Sequence, residues 1–526
     1  MEGIKIKKSA ITKAIMLLLL TASMNFLAKV QFSNAAATTT YSPSLIAELG
    51  EASTVLIYSQ IDANIKVYYP NIYWEPLTTY FLVPVSVWAV GSGFFVSADG
   101  YIVTAGHVIF CFTHKDITQD LYTKYFLIET AFYNIVQELE EAGYYFTSEE
   151  LELLWNYMMA YGEIKDSYRQ IYAVLGEVRP TLTDVESKGW IARIIDVSPF
   201  YERDIALLKI EPPSNYCPVL IMGDSSAVTT GSNVYSFGFA DVTVFAEELG
   251  VETLLAPSMK EGRISQKRLT STQTPCFETS ASLTYGMSGG PGLNDKGEVI
   301  GICSMGAVRQ GIQVAGFNFL IESNVANSIL EEANVKSKNK RGPVDEAFLQ
   351  GLQYYYDKHY TLAKQKFEVC TGLFDYHWRA KALIKECNAA IARGEDVPLP
   401  SATITPLTSS TTIGQSVSLT GSVSGGASPY TYQWYMNGTA ITGATSSSLT
   451  FTPTSSGTYE IYLNVTDADG YTAKSETAII NVLQAQGPTL SDAWIIILVL
   501  IIVVGAVAAI AILLVTRKKI PSVSNV

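Results

Sequence analysis

Gly91-Ser-Gly-Phe-Phe-Val-Ser-Ala-Asp-Gly100 runs directly into Tyr101-Ile-Val-Thr-Ala-Gly-His-Val108, and the reading of this stretch decides the fold. Short β-branched and aromatic runs cut by Asp-Gly are the pattern of strands joined by tight turns. The same texture extends from about residue 45 to 334, as in Gly231-Ser-Asn-Val-Tyr-Ser-Phe-Gly238, and predicts an all-β barrel or sandwich. His107 falls where a strand ends. The other three histidines, His114, His359 and His377, lie in or beside helical stretches, which suits surface positions better than chemistry.

A strand-end histidine gains meaning from its partners. Acyl transfer by a serine needs a base for its proton, a carboxylate to orient that base, and donors for the developing oxyanion. Asp204 opens the alternating run Arg203-Asp-Ile-Ala-Leu-Leu-Lys-Ile210, where strand formation would draw an acid out of water. Ser288 sits in Gly286-Met-Ser-Gly-Gly-Pro291, whose glycines let the backbone turn tightly enough to aim the N–H groups of Gly286 and Ser288 at one point. A Gly-x-Ser-Gly-Gly turn alone is weak, because such turns abound in β proteins. All three motifs in the order His, Asp, Ser are specific.

Together these stretches resemble the HtrA/DegP branch of trypsin-like serine proteases: residues 91–109, 204–210, 229–240, GRISQKR at 262–268, 286–302 and AGFNFLIES at 315–323. The resemblance covers about residues 50–334 and implies two six-stranded barrels with the site in the cleft between them. It implies His107 as general base, Asp204 as its orienting carboxylate and Ser288 as nucleophile, with Gly286 and Ser288 forming the oxyanion hole. Leu283, Ser304 and Gly306 would border the specificity pocket. Ser282 stands where an acid would select Lys or Arg, so small or medium apolar side chains are expected. Met287 replaces the common Asn or Asp beside the nucleophile, and no PDZ domain follows.

The rest of the chain divides around this region, assigned to residues 38–340. Residues 115–177 break the β pattern, with Leu121, Tyr125, Ile128, Phe132, Ile135 and Leu139 at helical spacing, and are expected to form a helical insertion. Thr147-Ser-Glu-Glu150 has capping-box spacing and should open a second helix. Residues 341–396 read as three helices, resembling one tetratricopeptide repeat and its following helix in Gly351, Tyr354, Tyr360, Ala363 and Phe367. Ser, Thr and Gly then dominate, and residues 397–485 alternate as a β-sandwich. Trp434 and Gly457-Thr-Tyr459 resemble the buried Trp and tyrosine corner of an immunoglobulin-like domain, with Ile461 where a cysteine would stand, as in PKD-like surface modules.

The ends set the topology. Lys5, Lys7, Lys8 and Lys13 precede the apolar run Ala14–Ala28 and then Ala35-Ala36-Ala37, the layout of a signal peptide over residues 1–37. Ala493 to Val515 gives 23 uninterrupted apolar residues, enough to cross a ~30 Å hydrocarbon core as a helix. Arg517-Lys518-Lys519 follows, so residues 516–526 form a cytoplasmic tail and the domains before the helix lie outside a prokaryotic cell membrane. At 526 residues the chain needs several cores, and a charge of −13 leaves no basic face for nucleic acid.

The six cysteines show no CxxC or Cys/His spacing for zinc, so neither metal nor cofactor is expected; Cys370 with Cys387 is the local disulfide candidate. The expected partners are polypeptide substrates and the lipid bilayer. The alternative reading is an inactive protease-fold scaffold that binds peptides or adheres to surfaces.

Overall fold

The computed structural model describes residues 40–71, 74–109, 121–179, 182–198, 202–240, 255–304, 308–309, 312–313, 318–336, 338–484 and 490–516. The expected signal peptide, Cys111, His114, Gly306 and the tail beyond Thr516 lie outside the described residues. Two compact units divide the chain. One holds residues up to 355 together with 362–389; the other holds 356–361 and everything from 390 onward.

In the first unit, helix α1 (Pro43–Ser53) leads into β1 (Thr54–Pro70) and β2 (Pro76–Phe95). These are followed by β3 (Tyr101–Thr104), helices α2 (Leu121–Glu141) and α3 (Ser148–Tyr161), β4 (Glu163–Leu175), the short helix α4 (Leu182–Lys188), β5 (Trp190–Ile191), β6 (Arg193–Ser198) and β7 (Ile205–Lys209). Seven strands form one sheet in the order β5-β4-β1-β2-β3-β7-β6. The second sheet uses β8 (Ile221–Met222), β9 (Asn233–Gly238), β10 (Ser258–Leu269), β11 (Pro275–Thr279), β12 (Pro291–Leu293) and β13 (Glu298–Cys303), with β14 (Val308–Arg309) and β15 (Ile312–Gln313) as a separate hairpin before β16 (Asn318–Glu322). Its order is β12-β9-β10-β11-β16-β13-β8, and β12 also pairs β13, which closes six strands into a ring and leaves β8 outside it. Two β-rich halves are therefore present: the second closes six strands, as expected, with β8 at its side, whereas the first is a sheet of seven.

The expected helical insertion ends early. Helices fill 121–141 and 148–161, with the capping box formed as its spacing predicts: Thr147 Oγ1 accepts from Glu150 N at 3.3 Å and Glu150 Oε2 from Thr147 N at 2.8 Å. From Glu163 the chain is strand, paired to β1 from Lys66↔Glu163 to Val55↔Leu175. The strand is set by its pairing to β1, and residues 171–174 are buried as one continuous run, so no regular period of two marks it in the sequence.

Strands β1 and β2 pair over their full lengths, from Thr54↔Phe94 to Pro70↔Pro76, much farther than a small barrel requires. An isolated two-stranded ribbon is marginal in water. Here Ile61, Ile65, Val67, Val83 and Val85 on one face of the ribbon bury against Leu127, Ile128, Ala131, Phe132 and Met158 of α2 and α3. The insertion and the far half of the hairpin thus form an arm with a core of its own.

Helix α5 (Ser323–Glu332) closes the second half, and three helices follow: α6 (Pro343–Tyr356), α7 (Tyr360–Leu373) and α8 (Trp378–Ala392). Most of this module belongs to the first unit instead of standing as a separate domain. Val344 and Phe374 share one core with Ala105, Val108, Ile109 and Leu208. Asp345 accepts from Val219 N at 2.9 Å and Gly342 N at 2.7 Å, and burial pushes its carboxyl up to about 6. Arg379 binds both oxygens of Glu48 in α1, at 2.6 and 2.8 Å. Cys370 and Cys387 remain thiols, contrary to the expected disulfide; the Cys370 thiol is turned toward the carbonyls of Lys366 and Val344.

In the second unit, one sheet runs β17 (Ser401–Thr405), β19 (Val417–Ser424), β22 (Ser448–Phe451). The other runs β18 (Thr408–Thr412), β25 (Ala478–Leu483), β23 (Gly457–Thr466), β20 (Thr431–Met436), β21 (Thr439–Ala440), with β24 (Thr472–Lys474) on β23. Trp434 is fully buried and donates from Nε1 to Ser446 O, Tyr459 donates to Ser455 O, and Ile461 fills the core where a disulfide could stand. Helix α9 (Leu490–Thr516) includes Trp494–Leu514, with a mean hydropathy of 3.5, long and apolar enough to cross a membrane.

Candidate active site

His107 stands on a single 3-10 turn, Gly106–Ile109, at the end of β3. A Cβ at Gly106 would meet Ser198 O at 2.5 Å, so glycine is needed for the turn to seat there. Asp204 occupies the turn before β7, is 3% exposed, and adopts φ +49°, a strained conformation for a residue that is not glycine. Its hydrogen bonds hold it there. Oδ1 accepts from the backbone N–H of His107 at 3.0 Å, and His107 Nδ1 lies 3.0 Å from both carboxylate oxygens. Ser304 Oγ donates to Oδ2 at 2.8 Å. With Nδ1 turned to the carboxylate, Nε2 is the nitrogen left to exchange a proton with another group.

Ser288 lies in the turn that precedes β12, with Gly286 and Gly289 at φ +87° and +85°. This turn in the second half is fastened to the first half by Ser92 on β2. Ser92 N donates to Ser288 O at 2.8 Å, Ser92 Oγ donates to Gly286 O at 2.7 Å, and the same Oγ accepts from Phe239 N at 2.9 Å. Gly289 packs so tightly that a Cβ would come within 2.1 Å of Ser92 O, 2.3 Å of Thr104 Oγ1 and 2.7 Å of Ala105 N. Those last two residues lead directly into the His107 turn. Among the described residues, no acceptor meets the N–H of Gly286 or of Ser288.

The three residues expected for chemistry thus come from one neighbourhood: His107 and Asp204 in direct contact, and Ser288 on a turn packed against the strand end that carries His107. The expected pocket residues fare differently. Leu283 is 5% exposed and sits in the core of the second half with Phe277, Met287 and Cys303. Ser304 supports Asp204. Gly306 lies outside the described residues. Sequence reasoning missed Ser92, whose signal was a lone hydroxyl between Gly91 and Gly93; a Cβ at Gly91 would collide with Val108 at 2.5 Å.

Burial pushes the Cys303 thiol up to about 12, which keeps it protonated and unreactive beside the site. Among the described residues one group has ligand atoms close enough to hold a cation, His359, Asp467 and Asp469 within 4.8 Å of one another. It lies in the second unit, and Asp467 already accepts from the backbone N–H groups of Ala427, Asp469 and Tyr471. That pattern describes a structural Asx turn.

Residues 91–302 match the trypsin-like peptidase domain family and residues 402–480 the PKD domain. A DegP-like probable periplasmic serine endoprotease from Marinomonas sp. is 31% identical over 160 residues, 30% of this chain and 30% of its own length. Serine protease HTRA1A of Danio rerio is 31% identical over 158 residues, again 30% of each chain. The match therefore spans under a third of each of these relatives. The solved structure of the HtrA-type protease AlgW with a decapeptide aligns with a TM-score of 0.32 and 17% identity, covering 56% of this chain and 68% of that one. Residues 91–302 form a trypsin-like peptidase domain related to the HtrA/DegP serine proteases, joined in the same chain to a PKD domain at 402–480.

Proposed function

We propose that this chain is a serine endopeptidase, tethered to a membrane by α9 and facing away from the cytoplasm, that hydrolyses exposed or unfolded polypeptides. The carrying observation is the buried Asp204 carboxylate, which holds Nδ1 of His107 at 3.0 Å while Ser92 fastens the Ser288 turn against the same strand end. Ser288 Oγ attacks the scissile carbonyl carbon as His107 Nε2 takes its proton. The oxyanion forms at the N–H groups of Gly286 and Ser288, which have no other acceptor among the described residues. Collapse breaks the C–N bond, and the imidazolium returns its proton to the leaving amine. Water then attacks the acyl carbon as His107 takes its proton, and the imidazolium returns that proton to Ser288 Oγ as the Oγ–C bond breaks and the acid leaves.

Asp204 accepts from His107 Nδ1 and so fixes the tautomer. The Arg517-Lys518-Lys519 run after α9 supports an orientation with the catalytic domain outside. A fluorophosphonate probe is expected to label the full-length protein at Ser288, and Ser288→Ala to abolish both labelling and casein cleavage. Absence of labelling in the folded wild-type protein would replace this reading with the inactive scaffold.

A further inference from the structure

The arm carries a groove that the proposed chemistry does not use. A cavity of about 430 Å³ opens between the tip of the β1–β2 hairpin and helices α2 and α3, and its lining includes Tyr69, Trp74, Phe81, Leu139, Tyr144 and Phe146. Tyr69, Leu139 and Tyr144 are 49%, 40% and 50% exposed, so the apolar surface faces solvent. A groove of this size accepts one or two large apolar side chains, and its aromatic walls offer stacking faces.

The surrounding charge is predominantly negative, with Lys66 held against the groove-lining Tyr68 and paired with Glu163. Residues 125–164 contain eight glutamates and no lysine, arginine or histidine. Glu138 and Glu150 line the groove itself, and Glu140, Glu141, Glu149 and Glu152 sit on the adjoining helix ends. An apolar slot ringed by carboxylates discriminates among partners. It repels anionic lipid headgroups and a second copy of this acidic chain, and it attracts apolar side chains flanked by Lys or Arg.

We infer that the arm is a docking site for polypeptide segments in which an aromatic or aliphatic residue is flanked by basic residues. The distance to the nucleophile sets how such a segment would be used. Phe81 and Ser92 are eleven residues apart on β2, about 35 Å at ~3.3 Å per residue. If the Ser288 reading holds, a substrate docked here reaches the cleft through roughly ten extended residues, and cleavage falls at that spacing from the basic-apolar segment.

The test uses the full-length Ser288→Ala protein in nanodiscs of zwitterionic lipid, so that binding is read without cleavage. The probe is a fluorescein-labelled peptide with Leu-Phe between Lys pairs; its twins carry Glu pairs, or Ala in place of Leu-Phe. Anisotropy is expected to show saturable binding of the first peptide, at least tenfold tighter than either twin and weakening as salt rises from 50 to 300 mM. Leu139→Arg and, separately, Glu138→Arg are expected to weaken it tenfold or more, while in a wild-type Ser288 background the rate of fluorophosphonate labelling stays unchanged. Equal binding of the Glu twin, unchanged affinity in both variants, or equal uptake by empty nanodiscs would each overturn the assignment. Loss of labelling with binding intact would leave the docking surface standing and remove the endopeptidase instead.

Discussion

Removing the Ser304 hydroxyl separates two roles for one residue. As a wall of the specificity pocket, Ser304 would touch substrate, and Ser304→Ala would move KM. In the structure its Oγ donates to Asp204 Oδ2 at 2.8 Å, and Asp204 is only 3% exposed, so water cannot easily take the vacated position. A hydrogen bond to a charged acceptor contributes about 1.5–3 kcal/mol. Part of that contribution is common to the resting enzyme and the transition state. The remainder is felt when the imidazolium forms and the carboxylate must hold it in line. The expected result is a fall of about 10- to 50-fold in kcat, or about 1.4–2.3 kcal/mol, with KM changed less than twofold.

Steady-state hydrolysis of a fluorogenic peptide gives both constants. The fluorophosphonate labelling rate should fall by a similar factor because it needs the same base, and a thermal unfolding midpoint checks that the fold is intact. Unchanged kcat with raised KM would return Ser304 to the pocket and refute the supporting role.

Gly289→Ala must place a Cβ 2.1 Å from Ser92 O at φ +85°, so it is expected to abolish labelling of Ser288 and to lower the unfolding midpoint; wild-type labelling would show that the turn is not held as described. Phe374→Ala removes a ring that is 1% exposed from the core shared with Ala105, Val108 and Ile109, and should cost about 3–5 kcal/mol in denaturant unfolding of the protease unit. Buried His377 is held neutral down to about 3, whereas the unfolded chain takes up the proton near 6.5. Its stability contribution is therefore complete above pH 6.5 and is lost as pH falls toward 3, by at most about 4–5 kcal/mol. His377→Asn, which keeps an acceptor for Ala380 N, should flatten that limb of a stability–pH profile. A chain ending before Leu490 should move from the membrane pellet to the soluble fraction after ultracentrifugation.

The candidate site was legible in sequence to the extent that local motifs and their order singled out His107, Asp204 and Ser288, of which the structure puts His107 and Asp204 in direct contact. The bond from Ser304 to Asp204 and the role of Ser92 were not foreseen because each acts across the interface between the two halves, and a hydroxyl carries no local signal of its partner. Ser92 lies 194 residues from the carbonyl that it holds. The boundary at 177 failed for a different reason. A strand that follows two helices within an insertion inherits their reading when its own pattern is irregular, and Glu163–Leu175 buries residues 171–174 as a continuous run instead of alternating. The helical module was found in sequence, but its burial against the protease was not, since amphipathic helices advertise an apolar face without naming what covers it.

That burial explains why the first half needs the module. Cys217, Cys276, Cys303, Cys370 and Cys387 are all buried thiols, so no disulfide among them stiffens the fold. The His107 turn has only four residues and cannot hold itself; its position is set by what packs behind it. Ala105, Val108 and Ile109 are backed by Val344 and Phe374, while Asp345 fixes Val219 and Arg379 ties α8 to Glu48 of α1. Helices α6 to α8 therefore act as the rear wall of the half that carries His107 and Asp204. A peptide-binding role confined to residues 341–396 is hard to reconcile with this arrangement, because deleting them would strip Val344 and Phe374 from the core that seats His107. The arm differs in this respect: its apolar groove is open to solvent, and its core shares no residue with the core behind the His107 turn.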